Sequence, residues 1–195
     1  QNLFTNGELG SANGQINGKN GEIIAEIRDS GPIPDGNDKT GNFHSTTSTG
    51  LQKYFIFRGK NNRFLRTKNI SNILLNTNYI SFYYIVGTNL NGGDSPDHEN
   101  ESLYLEFLDQ NGHVTSYVTI HKGNDDYRYG SAFTQFIHTL TIEEKKCFYV
   151  RWIQYIGGYR NDILTSDHYG ITDIKFNKLL YNPQYTGLTF YINAI

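Results

Sequence analysis

Carboxylates and tyrosines offer the most chemistry in this sequence, and they concentrate in turn-forming stretches. Asp125, Asp126, Tyr127, Arg128 and Tyr129 crowd into the segment between His121 and Gly130, while Tyr155, Tyr159 and Arg160 surround a Gly- and Asn-rich stretch after Ile153. Aromatic and charged side chains on loops held by a rigid scaffold are common recognition elements, although the same residues also suit a solvated connection. Upstream, Asp29, Asp35 and Asp38 form a carboxylate cluster among turn residues. Several oxygen donors of this kind suit calcium. The Asp-x-Asp-x-Asp-Gly spacing of a helix-loop-helix calcium site is absent, however, and a solvated acidic loop is the competing reading.

Catalysis is poorly marked. Hydrolysis of a glycosidic bond needs paired carboxylates across a cleft. Glu99, Glu101, Glu106, Asp125 and Asp126 are available, yet no spacing singles out a pair. The six histidines are scattered, no Gly-x-Ser-x-Gly elbow occurs, and Cys147 sits beside a predicted strand with no recognisable His partner motif. A non-catalytic protein is expected, with a glycoside hydrolase or lyase as the enzymatic alternative.

The elements that must position these groups are strands. The chain of 195 residues suits one domain, and its 15 Tyr and 12 Phe favour half-buried pleated surfaces. Twenty Gly against 4 Pro mean turns made by residues that tolerate positive φ. Strands are predicted over residues 22–28, 54–59, 63–67, 79–87, 103–108, 113–120, 133–140 and 148–155, with a helical turn at 142–146. Residues 79–87 are apolar on both faces, as in a central strand. Asp109-Gln110-Asn111-Gly112 carries the Asn-Gly signal of a hairpin. Residues 1–50 read as a loop-rich lead with the first strands, 51–178 as the sandwich core, and 179–195 as a closing strand or junction.

Net charge is -2, with no basic run, which argues against nucleic acid as a partner. A lone cysteine excludes an intramolecular disulfide. No apolar run is long enough for a membrane-spanning helix, so no membrane insertion is expected. The chain has no Met and starts at Gln1, suggesting a processed product or a piece of a longer polypeptide.

Four stretches taken in order carry a resemblance. They are Phe55-Ile56-Phe57-Arg58-Gly59 with Arg63-Phe64-Leu65-Arg66-Thr67; Ile80 to Gly87; Leu103-Tyr104-Leu105-Glu106-Phe107-Leu108-Asp109-Gln110-Asn111-Gly112; and Val150-Arg151-Trp152-Ile153-Gln154 followed by Asp167-His168-Tyr169-Gly170-Ile171-Thr172-Asp173-Ile174. From Tyr54 to Phe176 the sequence resembles the jelly-roll subrepeat of reelin and related carbohydrate-binding jelly rolls. The resemblance implies an all-β, antiparallel jelly-roll β-sandwich. It also implies a structural calcium held by Asp173 with Asp167, although Thr172 stands at the family's first acidic position in that motif. Trp152 becomes a core marker by its family position and by its alternation with Phe148 and Val150.

Similar modules occur in phage virion and bacterial surface proteins, and the Asn, Ile, Lys and Tyr abundance fits an AT-rich microbial or phage genome. The expected role is a virion structural or appendage protein, such as a phage fibre or capsid decoration, binding glycans or neighbouring subunits. The alternative is a secreted or surface carbohydrate-binding module or adhesin. Either would act outside the cell, as a homo-oligomer or within a larger assembly of virion or surface proteins. Sugar binding needs aromatic platforms for pyranose faces and planar polar groups for hydroxyls. Tyr127, Arg128, Tyr129, Tyr155, Tyr159 and Arg160 are the expected ligand-binding residues.

Overall fold

Leu103–Leu108 shows why this chain forms two layers. Leu103, Leu105 and Phe107 are fully buried, while Tyr104 and Glu106 lie on the opposite face of the strand, the period-two pattern of a sheet with one side against a core. The computed structural model describes residues 15–17, 23–29, 53–57, 63–88, 95–123, 132–155 and 167–179. Among them are ten strands: β1 Gln15–Asn17, β2 Ile23–Asp29, β3 Lys53–Phe57, β4 Arg63–Arg66, β5 Tyr79–Val86, β6 Leu103–Leu108, β7 Val114–His121, β8 Thr134–Thr139, β9 Tyr149–Gln154 and β10 Tyr169–Asn177. Two one-turn helices, α1 Ser71–Leu74 and α2 Ile142–Lys145, and a 3-10 turn at Glu99–Glu101 connect them.

One sheet has the order β1-β2-β3-β10-β5-β8 and the other β4-β9-β6-β7. From β3 onward each connection changes sheet, except the β6–β7 hairpin, and every pairing is antiparallel. This is the jelly-roll sandwich expected from the sequence, widened at one edge by β1 and β2. The central position expected of 79–87 holds, since β5 lies between β10 and β8.

Trp152 sits in the core as anticipated. It is fully buried, with Leu65 and Leu105 opposite it on the neighbouring strands. Across the sandwich its ring meets Phe82 edge-on, with centroids 5.7 Å apart at 87°. Phe82 in turn stacks on Phe136 at 5.2 Å. Aromatic pairs of this kind add to the burial of their area, so the contact clamps the two sheets at their middle.

At one end of the sandwich a polar network replaces the apolar core. Arg63 is fully buried, and its guanidinium donates to Gln154 Oε1 at 2.9 Å and to the Asp167 carbonyl at 2.7 Å. Gln154 Nε2 donates to the carbonyls of Glu101 (3.1 Å) and Asp167 (2.8 Å). Burial lowers the Arg63 pKa to about 10, opposed by the carboxylates of Asp167 and Glu101. The residue therefore stays charged at neutral pH and ties β4, β9 and the chain entering β6 to the chain entering β10. Gly123 lies close by. Its amide donates to Ser102 Oγ at 2.9 Å, and a Cβ there would stand 2.0 Å from the His98 carbonyl oxygen.

The other end is closed by α2. Thr141 caps it, accepting from the Glu144 amide at 3.2 Å, while Glu144 Oε2 accepts from the Thr141 amide at 2.8 Å, a reciprocal capping box. Glu144 is buried and also takes hydrogen bonds from Ser116 Oγ and His138 Nε2, both 2.8 Å. Burial pushes its carboxyl up, but the bonds from His138, Thr141 and Ser116 outweigh this and bring it down to about 2.

Two outcomes follow. A carboxyl whose folded pKa lies below its unfolded value stabilises the fold above the unfolded pKa, and that stability is lost as pH falls towards the folded pKa. Urea denaturation between pH 5 and pH 2 is therefore expected to show falling stability, with a shallower fall in Glu144→Gln. Gly123→Ala forces the backbone of the His98 loop to move, and overpacking of this sort costs about 1–3 kcal/mol; a lowered melting temperature is the readout.

Candidate functional site

The outer face of the four-stranded sheet carries a built aromatic groove. Its residues are fixed by strand register. Tyr117 on β7, Glu106 on β6, Arg151 on β9 and Arg66 on β4 form one cross-strand row, and Tyr104 lies in the next, between Thr119 and Ile153. Tyr155 follows the end of β9. Side chains of one row meet directly, because facing positions on paired strands lie within reach. The Tyr104 ring is edge-on to Tyr117 at 5.9 Å and tilted against Tyr155 at 6.1 Å. With Glu106 and Val114 these three tyrosines line a groove of about 310 Å³.

At the base of the groove lies an ion pair. Arg151 Nε and its terminal nitrogen donate to Glu106 Oε2 at 2.8 and 2.6 Å, and the Tyr155 hydroxyl donates to Glu106 Oε1. Glu106 is almost completely buried, whereas Tyr117 is 64% exposed and Tyr155 36%. Burial, the hydrogen bond to Glu106 and the Glu106 charge all raise the Tyr155 phenol above its ordinary range, so it remains a neutral donor. The arrangement presents apolar ring faces at the rim and a charge-compensated polar floor. Among the described residues, Glu106 is the one carboxylate lining the groove.

Comparisons with known proteins leave the family open. A scan against family models found no match, and neither did a search of curated proteins. Among solved structures, the enzymatically active domain of tailspike protein 4 from bacteriophage CBA120 aligns over 77% of this chain at 9% identity and a TM-score of 0.34. This chain spans 17% of that one. A variant of the lectin binding domain of Lectinolysin complexed with Lewis b aligns over 87% of this chain and 97% of its own, at 10% identity and a TM-score of 0.31. A chitosan-binding module of a chitosanase/glucanase from Paenibacillus sp. IK-5 covers 77% and 96%, at 9% identity and a TM-score of 0.20. Such scores are too low to carry a ligand over to this chain.

Of the residues expected to bind ligand, Tyr155 lies in the groove. Tyr127, Arg128, Tyr129, Tyr159 and Arg160 fall outside the described residues, as do Asp35, Asp38, Asp125 and Asp126. Asp167 and Asp173, the expected calcium ligands, lie in different surroundings. Asp167 is buried at the entrance to β10, beside Arg63. Asp173 is exposed and paired with Lys175 at 2.9 Å. Asp173 also adopts φ 54 at the point where β10 loses register with β5, so its backbone belongs to a bulge.

Tyr104 and Tyr117 were the residues that loop composition missed. The signal was the alternation of Leu103, Leu105 and Phe107, which puts Tyr104 and Glu106 outside, combined with the Asn-Gly hairpin that folds Tyr117 back onto them. Glu106→Ala removes the carboxylate that holds both Arg151 and Tyr155. With Arg151 partly exposed, the expected cost is about 1–3 kcal/mol, read as a lower urea midpoint at unchanged slope.

Proposed function

We propose that this protein is a non-catalytic carbohydrate-binding module that uses the outer face of its four-stranded sheet. The observation that carries the reading is the groove of Tyr104, Tyr117 and Tyr155 around the Glu106–Arg151 pair. Sugars combine apolar C–H faces with a rim of hydroxyls, so they need flat aromatic surface next to donors and acceptors already held in place. Tyr117 supplies exposed ring surface, while Glu106, Arg151 and the Tyr155 hydroxyl supply fixed polar groups. Since Glu106 is neutralised by Arg151, the floor favours an uncharged sugar. The groove of about 310 Å³ lies at the lower end of the range of about 300–1,000 Å³ for small-ligand sites, which suits a short saccharide or chain end.

Among the described residues one carboxylate, Glu106, lines the groove, and it is held by Arg151 and Tyr155 as a recognition group. The setting we propose is extracellular, on a virion appendage or a bacterial surface, the context of the jelly-roll modules that the sequence resembles. There a binding groove would attach the particle or cell to glycans.

An array of neutral glycans followed by titration calorimetry tests the proposal. Tyr117→Ala and Tyr104→Ala are expected to weaken binding of any captured glycan by about tenfold or more each, the effect of losing a contact worth about 1.4 kcal/mol. The exposed Tyr117→Ala should keep the melting temperature of the parent. An array with no bound glycan, or affinity undiminished in the double variant, would overturn the assignment.

A further inference from the structure

Where the chain enters β6, Asp97, His98 and Glu101 converge. A ligating atom from each lies within 4.8 Å of those of the other two. The side chains of Asp97 and His98 are 40% and 55% exposed, with His98 Nε2 3.5 Å from Asp97 Oδ1, so the cluster opens to solvent on their side. Glu101 closes the other side and is fully buried. Its Oε2 accepts from the His98 amide at 2.9 Å, whereas its Oε1 is buried without a hydrogen-bond partner.

Buried polar atoms in folded proteins are nearly always paired, and an unpaired buried carboxylate oxygen is costly. A cation seated among the three side chains would give that oxygen a partner.

We propose that Asp97, His98 and Glu101 form a binding site for a divalent transition-metal ion of the zinc type. Two carboxylates and an imidazole match zinc, which takes nitrogen and oxygen ligands at about 2.0–2.2 Å, usually four in all. Calcium prefers an all-oxygen shell and fits the imidazole poorly. Ligands at zinc distance stand about 3.4 Å apart in a tetrahedron. The two exposed side chains thus close by roughly an ångström onto the fixed Glu101, with water completing the shell. Gly123 keeps this loop in place through its amide bond to Ser102 and its close approach to the His98 carbonyl. The ion would stabilise the Arg63 end of the sandwich, a role independent of the glycan groove.

The test is calorimetric titration of chelator-treated, dialysed full chain with zinc, and separately with calcium. One zinc per chain is expected, with calcium unable to compete and a melting temperature that rises with zinc. His98→Ala and Asp97→Asn, both at exposed positions, should weaken zinc binding on the order of a hundredfold and abolish the thermal shift. Their circular dichroism in chelator should match that of the parent. Absence of saturable zinc uptake, or uptake unchanged in both variants, would overturn the site.

Discussion

A guanidinium withdrawn from solvent sets the terms for one end of this sandwich. Burying an ion costs several kcal/mol unless every donor finds an acceptor, and Arg63 meets the Gln154 side chain and the Asp167 carbonyl. Gln154 extends the network to the backbone before β6. Once Arg63 lies inside, the chain entering β6 and the chain entering β10 must present oxygens at defined points. Four segments far apart in sequence are thereby held in one arrangement, and the Asp97–Glu101 turn inherits its position from it.

The core and the outer face answer to different constraints. Inside, the Trp152–Phe82 contact bridges the two layers, and Phe136 backs Phe82 from the neighbouring strand. Outside, the tyrosines are set by cross-strand rows and by hydrogen bonds to Glu106 rather than by close packing. A groove built on strands loses little freedom when a ligand arrives, because its rings and polar groups are already in place. That is a sound basis for recognition by a small surface.

Much of the fold was legible because its signals are local. Alternation in Leu103–Leu108, the Asn-Gly turn and the double-sided apolar run of β5 each follow from neighbouring residues. The Trp152 assignment followed from the same alternation in β9 together with its position in the motif that carries the resemblance. What escaped was long-range. Arg63 reads as one more polar residue in a strand, and its partners lie 91 and 104 positions away. The short helix α1 has neither a side-chain cap nor an acidic first turn to announce it. In the groove, Tyr155 was anticipated from its place beside a loop, whereas Tyr104 and Tyr117 become neighbours only through the register of β6 and β7. Asp167 and Asp173 entered as expected calcium ligands through the resemblance alone, and their surroundings, one beside buried Arg63 and the other exposed at a bulge, depend on the fold.

The β6–β7 hairpin couples that register to the surface. Its turn depends on Gly112 at φ 83 and on Asp109 Oδ1 accepting from the amides of Asn111 and His113, and the two strands tolerate two irregularities while still setting Tyr117 opposite Glu106. Since side chains alternate faces along a strand, a slip of one residue would turn Tyr117 inward and a core residue outward. In evolutionary terms the hairpin divides the permissible changes. Outward positions such as Val114, Tyr117 and Thr119 can change by substitution without disturbing this register and so reshape the groove, while a single-residue insertion or deletion in the turn would move every position beyond it to the other face. Diversity on this face would accumulate as point changes on a fixed frame.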